Sequence, residues 1–330
     1  MSTSPATIVA GEGVAAAPRP RAGGRRPQPP RHFSKQSRFA PLWLLSPAGI
    51  VILALIVAPI VFLVYTSFTD FNQRTLFTGE YHGVGVEQYT RIFTDPQFWA
   101  STGLTLVFTV ALVGGSLIIG VGVSQLMTKL GTAMRYIVTI VLIFAWGMPN
   151  VASAQVWNWL FQPGYGVINW LLAQLHVFGD TTDLSWWNST PLALFNIWML
   201  VVWQAVPFIA LTTYAAQTQI DGSLIEAARI DGAGEWRIYF SVVLNSLKPT
   251  LLLITVLSII WDFNVFNQIW LTTQGGPDNG TATLGIWAYL TAFNQFKIGT
   301  GAAIAVVTTV MLMIISGFYI RSLLRSGEDL

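Results

Sequence analysis

The chain has 330 residues, 53% of them hydrophobic and 10% charged, with 17 Lys and Arg against 15 Asp and Glu for a net charge of +2. A soluble domain carries about 25% charged residues, so this chain, with a mean hydropathy of +0.57, lacks the polar surface to face water on all sides and needs lipid as part of its solvent. It has no cysteine, which excludes disulfides and thiolate chemistry, and His32, His82 and His176 stand too far apart to suggest metal-ligand spacing.

Residues 1–38 are rich in Pro, Ala, Gly and Arg. They carry Arg19, Arg21, Arg25, Arg26, Arg31, Lys35 and Arg38 against a single acid, Glu12. No hydrophobic period runs through them, which predicts a disordered basic tail. A nucleic-acid-binding arm is the sharper reading of such a run. A cytoplasmic tail held near anionic lipid by its charge is the plainer one and is adopted, so no nucleic-acid partner is expected.

Crossing about 30 Å of hydrocarbon takes about 20 helical residues. Apolar stretches of that length follow at 41–66, 101–128, 134–160, 191–215, 248–273 and 298–320, predicting an all-α integral membrane protein with six transmembrane helices. Pro149 and Pro207 are expected to kink the third and fourth spans. Charge placement sets the orientation. With the N-terminus inside, only Arg74, Arg91 and Lys297 of the 17 basic residues lie outside. Both termini are therefore predicted to be cytoplasmic. The organisation is a tail at 1–38, a six-helix domain at 39–325 with a cytoplasmic loop at 216–249, and a short C-terminal tail at 326–330.

The loop between the fourth and fifth spans is the least membrane-like part of the chain after the tail. Leu224, Ala227 and Ala228 recur at helical spacing, and Ser223 with Glu226 matches a capping box. Gly232 then supplies a break, and a second amphipathic run from Trp236 to Leu247 leads into Pro249. Helices that lie on lipid favour Lys and Arg on their polar face, whereas this one carries Asp221, Glu226 and Asp231. A short helix docked in a groove of a partner is the preferred reading.

The fifth span contains Trp261-Asp262-Phe263-Asn264-Val265-Phe266-Asn267-Gln268. An acid at a helix centre costs about 2.5–3.5 kcal/mol or more, so Asp262 is expected to face a cavity or a partner. Sugars are held by amides and carboxylates on their hydroxyls and by aromatic faces on their C–H surfaces, so Trp261, Asp262, Asn264, Phe266, Asn267 and Gln268 are candidates for a substrate pathway. Asn264 and Asn267, three apart on one face, fit interhelical bonding equally well, and both readings stay open here. Trp203 and Gln204 in the fourth span carry the same ambiguity.

Glu226-Ala227-Ala228-Arg229-Ile230-Asp231-Gly232-Ala233 resembles the EAA loop of ABC-importer permease subunits, and the chain as a whole is similar to the carbohydrate-uptake permeases of the maltose-transporter type. Thr273-Gln274-Gly275-Gly276-Pro277, the run from Trp157 and Trp159 through Tyr165, Gly166 and Asn169, and Thr291-Ala292-Phe293 extend the likeness over residues 40–325. Asn245 departs from it, standing where that family usually has a proline.

The resemblance implies the type I ABC-importer permease architecture in a bacterial plasma membrane. It implies a non-catalytic pore that moves a sugar, expected to be a di- or oligosaccharide, by alternating access. In that family the loop seats in a cleft of a separate ATPase dimer. Glu226 would anchor polar contacts there, Ala227, Ala228 and Gly232 would allow close approach, Asp231 would order the loop, and Ala233 completes the set of loop residues. The chain lacks G-x-x-x-x-G-K-[ST], so it needs no cofactor of its own, ATP and Mg²⁺ being bound by the partner. The other implied partners are a second homologous permease, an extracytoplasmic solute-binding protein and membrane lipid. Two alternatives remain: a permease for another solute such as glycerol phosphate, and a secondary transporter.

Overall fold

The computed structural model describes residues 40–176 and 179–327. The basic tail at 1–38 and the last three residues lie outside the described residues. The chain separates into two units, one ending at Leu55 and one starting at Ile56.

In the first unit α1 (Ala40–Ile52) passes into a π-helical turn that begins at Leu53. The second unit opens with α2 (Ala58–Thr66), followed by α3 (Gln73–Thr78), α4 (Glu87–Thr94) and α5 (Pro96–Lys129). Next come α6 (Thr132–Trp146), α7 (Asn150–Leu160), α8 (Val167–Gln174) and α9 (Thr190–Gln217). The segment after α9 holds α10 (Gly222–Ile230) and α11 (Glu235–Ile238), and a π-helical turn at Tyr239–Val243 joins them to α12 (Leu244–Phe263). The chain closes with α13 (Asn267–Thr272), α14 (Leu284–Tyr289) and α15 (Ile298–Gly327).

Among the described residues, five helical stretches are long and apolar enough to cross a membrane: Leu45–Thr66, Pro96–Lys129, Thr190–Gln217, Glu235–Phe263 and Ile298–Arg321. The stretch expected as a third span is instead a broken pair, with α6 and α7 bent by 101°. The cause lies at Gly147-Met148-Pro149. Pro149 takes an extended backbone and has no N–H to continue the ladder of α6, so the helix restarts at Asn150 in a new direction. Pro207, by contrast, sits inside one unbroken α9.

The fifth span also differs from expectation. It starts at Glu235, well before 248, and ends at Phe263. Asn264 leaves helical geometry and a separate helix begins at Asn267, so the two asparagines do not share one helix face. The segments expected as outer loops contain α3, α4 and α8, and the signal for the next helix start was present. Asp95 Oδ1 accepts the Gln97 N–H at 2.9 Å, with Pro96 in the first helical position.

The core is built on α5 against α9. With lipid as solvent the hydrophobic effect does not drive two helices together, and close backbone approach at small residues does. A Cβ at Gly115 would overlap the Trp198 ring, and one at Gly120 would overlap Ile209. Trp198 uses the space left by Gly115 to donate its indole N–H to the Ala111 carbonyl at 2.8 Å. Phe108, Leu112, Ile197 and Val201 then pack with Val265, Ile269 and Ile286, tying α13 and α14 to the pair. A second cluster joins Ile92 and Phe98 to Trp287 and Ile304.

At the end of the second unit that holds α3 and α4, Gln88 bridges two chain segments. It donates to the Thr69 carbonyl at 2.9 Å and accepts from Thr300 Oγ1 at 2.7 Å. The Thr273–Pro277 turn is pinned by Thr281, which donates to the Gly276 carbonyl at 2.8 Å. Gly275 there has φ +92 and is buried against Ile286, a conformation and a space that only glycine meets.

Candidate functional site

Two regions concentrate the polar chemistry. The first is the segment between α9 and α12. Asp221, not Ser223, is the N-cap of α10: it alone is extended, and its Oδ1 accepts the Ser223 N–H at 3.0 Å. Ser223 is already helical, so the expected capping box does not form. The Ser223 hydrogen bond holds the Asp221 carboxyl below its ordinary range.

The other end of α10 explains the motif's sequence. Gly232 has φ +77, the left-handed conformation that glycine adopts without strain. The Ala233 N–H reaches the Ala228 carbonyl and the Gly232 N–H reaches the Arg229 carbonyl, each at 3.0 Å. This pair of bonds is a Schellman stop, so Ala228, Gly232 and Ala233 are joined by backbone bonding alone. Arg229 is tied to Glu235 at 2.9 Å, linking α10 to α11. Glu226, Ala227 and Asp231 are exposed. Ile230 is 86% and Trp236 78% exposed, so the segment offers apolar side chains, next to acids, that none of the described residues covers.

The second region is a cavity of about 570 Å³, within the range of small-ligand sites. It is lined by all six residues singled out in the fifth span: Trp261, Asp262, Asn264, Phe266, Asn267 and Gln268. The unwinding at Asn264 turns both asparagines toward it without helical register. From α9 come Gln204 and Phe208, and from the break after α6 come Trp146, Met148 and Asn150. Trp146 stacks on Phe208, which meets Trp261 edge-on with centroids 5.4 Å apart, giving the cavity an aromatic wall.

Beside these rings runs a chain of amides, with Gln204 one helical turn from Phe208 on α9. Gln268 Nε2 donates to Gln204 Oε1 at 2.7 Å, and Gln204 Nε2 donates to Asn150 Oδ1 at 3.3 Å. Asp262 is 7% exposed, and its Oδ2 has no hydrogen-bond partner among the described residues. A buried carboxyl oxygen of this kind calls for a partner that the described residues do not supply. Trp203 instead packs on Trp157 and does not line the cavity. Trp146, Asn150 and Phe208 were not singled out from the sequence, because only tertiary packing brings the broken third span and α9 beside the fifth.

Residues 114–327 match the family described as "Binding-protein-dependent transport system inner membrane component". The diacetylchitobiose uptake system permease protein DasB of Streptomyces coelicolor is 37% identical, covering 91% of each chain. The sulfoquinovosyl glycerol transport system permease protein SmoG of Agrobacterium fabrum is 32% identical over 86% of this chain and 90% of that one. Among solved structures, a bacterial ABC transporter that imports the acidic polysaccharide alginate has a chain that superposes with a TM-score of 0.74. It covers 87% of this chain and 97% of its own, at 18% identity, so the likeness is one of fold. The chain therefore belongs to the inner-membrane permease components of binding-protein-dependent ABC transport systems, and is a multi-pass membrane protein of that family.

Proposed function

We propose that this chain forms half of the translocation pore of an ATP-driven importer that takes a di- or oligosaccharide into the cytoplasm by alternating access. The observation that carries the substrate class is the cavity. It brings the aromatic rings of Trp146, Phe208 and Trp261 together with amides and with Asp262, whose Oδ2 has no hydrogen-bond partner among the described residues, a combination suited to the two surfaces of a sugar ring. The uptake systems of the two relatives, for diacetylchitobiose and sulfoquinovosyl glycerol, support a glycoside. A glycerol phosphate substrate is disfavoured because no Lys or Arg lines the cavity. A secondary transporter is disfavoured by family.

On this reading both termini are cytoplasmic, the broken pair α6–α7 counts as one of six spans, and the 216–249 loop faces an ABC ATPase dimer that binds ATP and Mg²⁺. Glu226 makes polar contacts there, while Ala227, Ala228 and Gly232 let the helix seat in a groove. A second homologous permease completes the pore. The family's description as binding-protein-dependent supports an extracytoplasmic solute-binding protein that delivers the sugar.

The test is uptake of labelled diacetylchitobiose and maltotriose by cells lacking the gene and complemented with this chain or its Asp262→Ala variant. Restored uptake of either sugar, reduced at least about tenfold by Asp262→Ala as one lost charged hydrogen bond implies, supports the reading. Restored uptake of amino acids or glycerol phosphate but of neither sugar contradicts it.

A further inference from the structure

A second polar cavity, of about 450 Å³, lies where the end of α5, the start of α6, the end of α9 and the coupling segment converge. Lys129, Arg135 and Arg229 line it against one carboxylate, Glu235, which is already paired with Arg229. Lys129 is exposed and has no ion-pair or hydrogen-bond partner among the described residues. Arg135 is half-buried and fixed. Its guanidinium donates to the Met127 carbonyl at 3.2 Å and to the Leu130 carbonyl at 2.8 Å, and lies 5.8 Å from the centre of the Tyr214 ring. Those bonds neutralise the carbonyl end of α5 and use two of the five donors a guanidinium carries.

Basic residues near span ends are ordinary on the cytoplasmic side, but such residues usually fan into water. Here three cations from three segments converge on one walled space, with the Gln125 amide beside them. The space sits at the ends of two spans, which is headgroup depth in a bilayer. We infer that this cavity binds a phosphate group, carried by an anionic phospholipid of the leaflet in which it opens. A fixed Arg, an exposed Lys without a partner among the described residues and an amide donor suit a phosphodiester, and basic pockets between spans are a known form of headgroup site. Because Arg229 belongs to the motif segment, an occupied site ties the ends of α5 and α6 to α10.

The full-length chain, purified in neutral detergent, is mixed with phosphatidylcholine and phosphatidylglycerol and analysed by native mass spectrometry, with inorganic phosphate as a second probe. Arg135→Gln also strips the cap from α5, so Lys129→Gln carries the test, and Lys297→Gln at the start of α15 is the control. The site predicts selective retention of phosphatidylglycerol. Lys129→Gln weakens it about fivefold, the contribution of one cation near an anionic surface, and Lys297→Gln leaves it unchanged. Inorganic phosphate binding with the same dependence on Lys129, and no lipid selectivity, keeps the phosphate site and overturns the lipid as its source. Equal retention by wild type and Lys129→Gln for both probes overturns the site.

Discussion

Gln204 and Gln268 meet amide to amide at 2.7 Å across α9 and α13, and through Asn150 the same chain of hydrogen bonds reaches the break in the third span. Three segments remote in sequence thus share one polar network on the cavity wall. Replacing Gln268 by Leu orphans the Gln204 oxygen at a cost of about 1–3 kcal/mol. Sugar uptake is expected to fall roughly tenfold. Adding Gln204→Leu should cost little further, because residues in one network are not additive. Fully additive losses in an uptake assay would mean that the two act separately.

Gly232→Ala meets open space, so its effect comes only from φ +77. The expected cost is about 1 kcal/mol, localised at the stop of α10. Hydrogen exchange at the Ala233 amide should accelerate while the α5 amides stay protected. Gly232→Asn should be milder, since Asn tolerates the left-handed region. Unchanged exchange in Gly232→Ala would show that the stop does not depend on glycine.

Gly103 and Gly115 lie in the same helix, yet only Gly115 faces an obstacle. Gly115→Ala pushes the Trp198 ring and is expected to destabilise by about 1–3 kcal/mol as an overpacked core does. Gly103→Ala meets nothing within 4 Å and should be neutral or slightly stabilising, because alanine loses less entropy in a helix. Thermal melts of both variants in detergent decide the matter. Equal melting temperatures would remove the α5–α9 contact from the account.

The Asp221 carboxyl is held below its ordinary value, so its contribution to α10 is fully present above the unfolded pKa, about 3.9. That contribution is lost as pH falls through the lower folded value. Hydrogen exchange at the Ser223 amide should therefore be steady at neutral pH and rise in excess of its intrinsic pH dependence only on strong acidification. Asp221→Asn keeps a capping oxygen and should abolish that excess. An excess that persists in Asp221→Asn would assign it to another group.

The sequence made the membrane class and the motif segment legible because both are local. Runs of apolar residues announce spans, and Ala228, Gly232 and Ala233 form a helix stop within six residues of chain. The α6–α7 break was less legible, since hydropathy runs straight through Gly147 and Pro149 and carries no information about direction. The same blindness hid the unwinding at Asn264. It also hid the meeting of Trp146, Asn150 and Phe208 with the fifth-span run, which only tertiary packing brings about. The choice of Asp221 over Ser223 turned on backbone angles, since both side chains can cap.

On the proposed function the 216–249 segment couples the pore to a separate ATPase. The most direct measurement is to purify the tagged chain and its Glu226→Lys variant from native membranes and identify what accompanies each. A P-loop ATPase and a second permease are expected to accompany the wild-type chain. With Glu226→Lys the ATPase is lost while the second permease stays. An ATPase that accompanies both forms equally, or a wild-type chain that purifies alone, would contradict it.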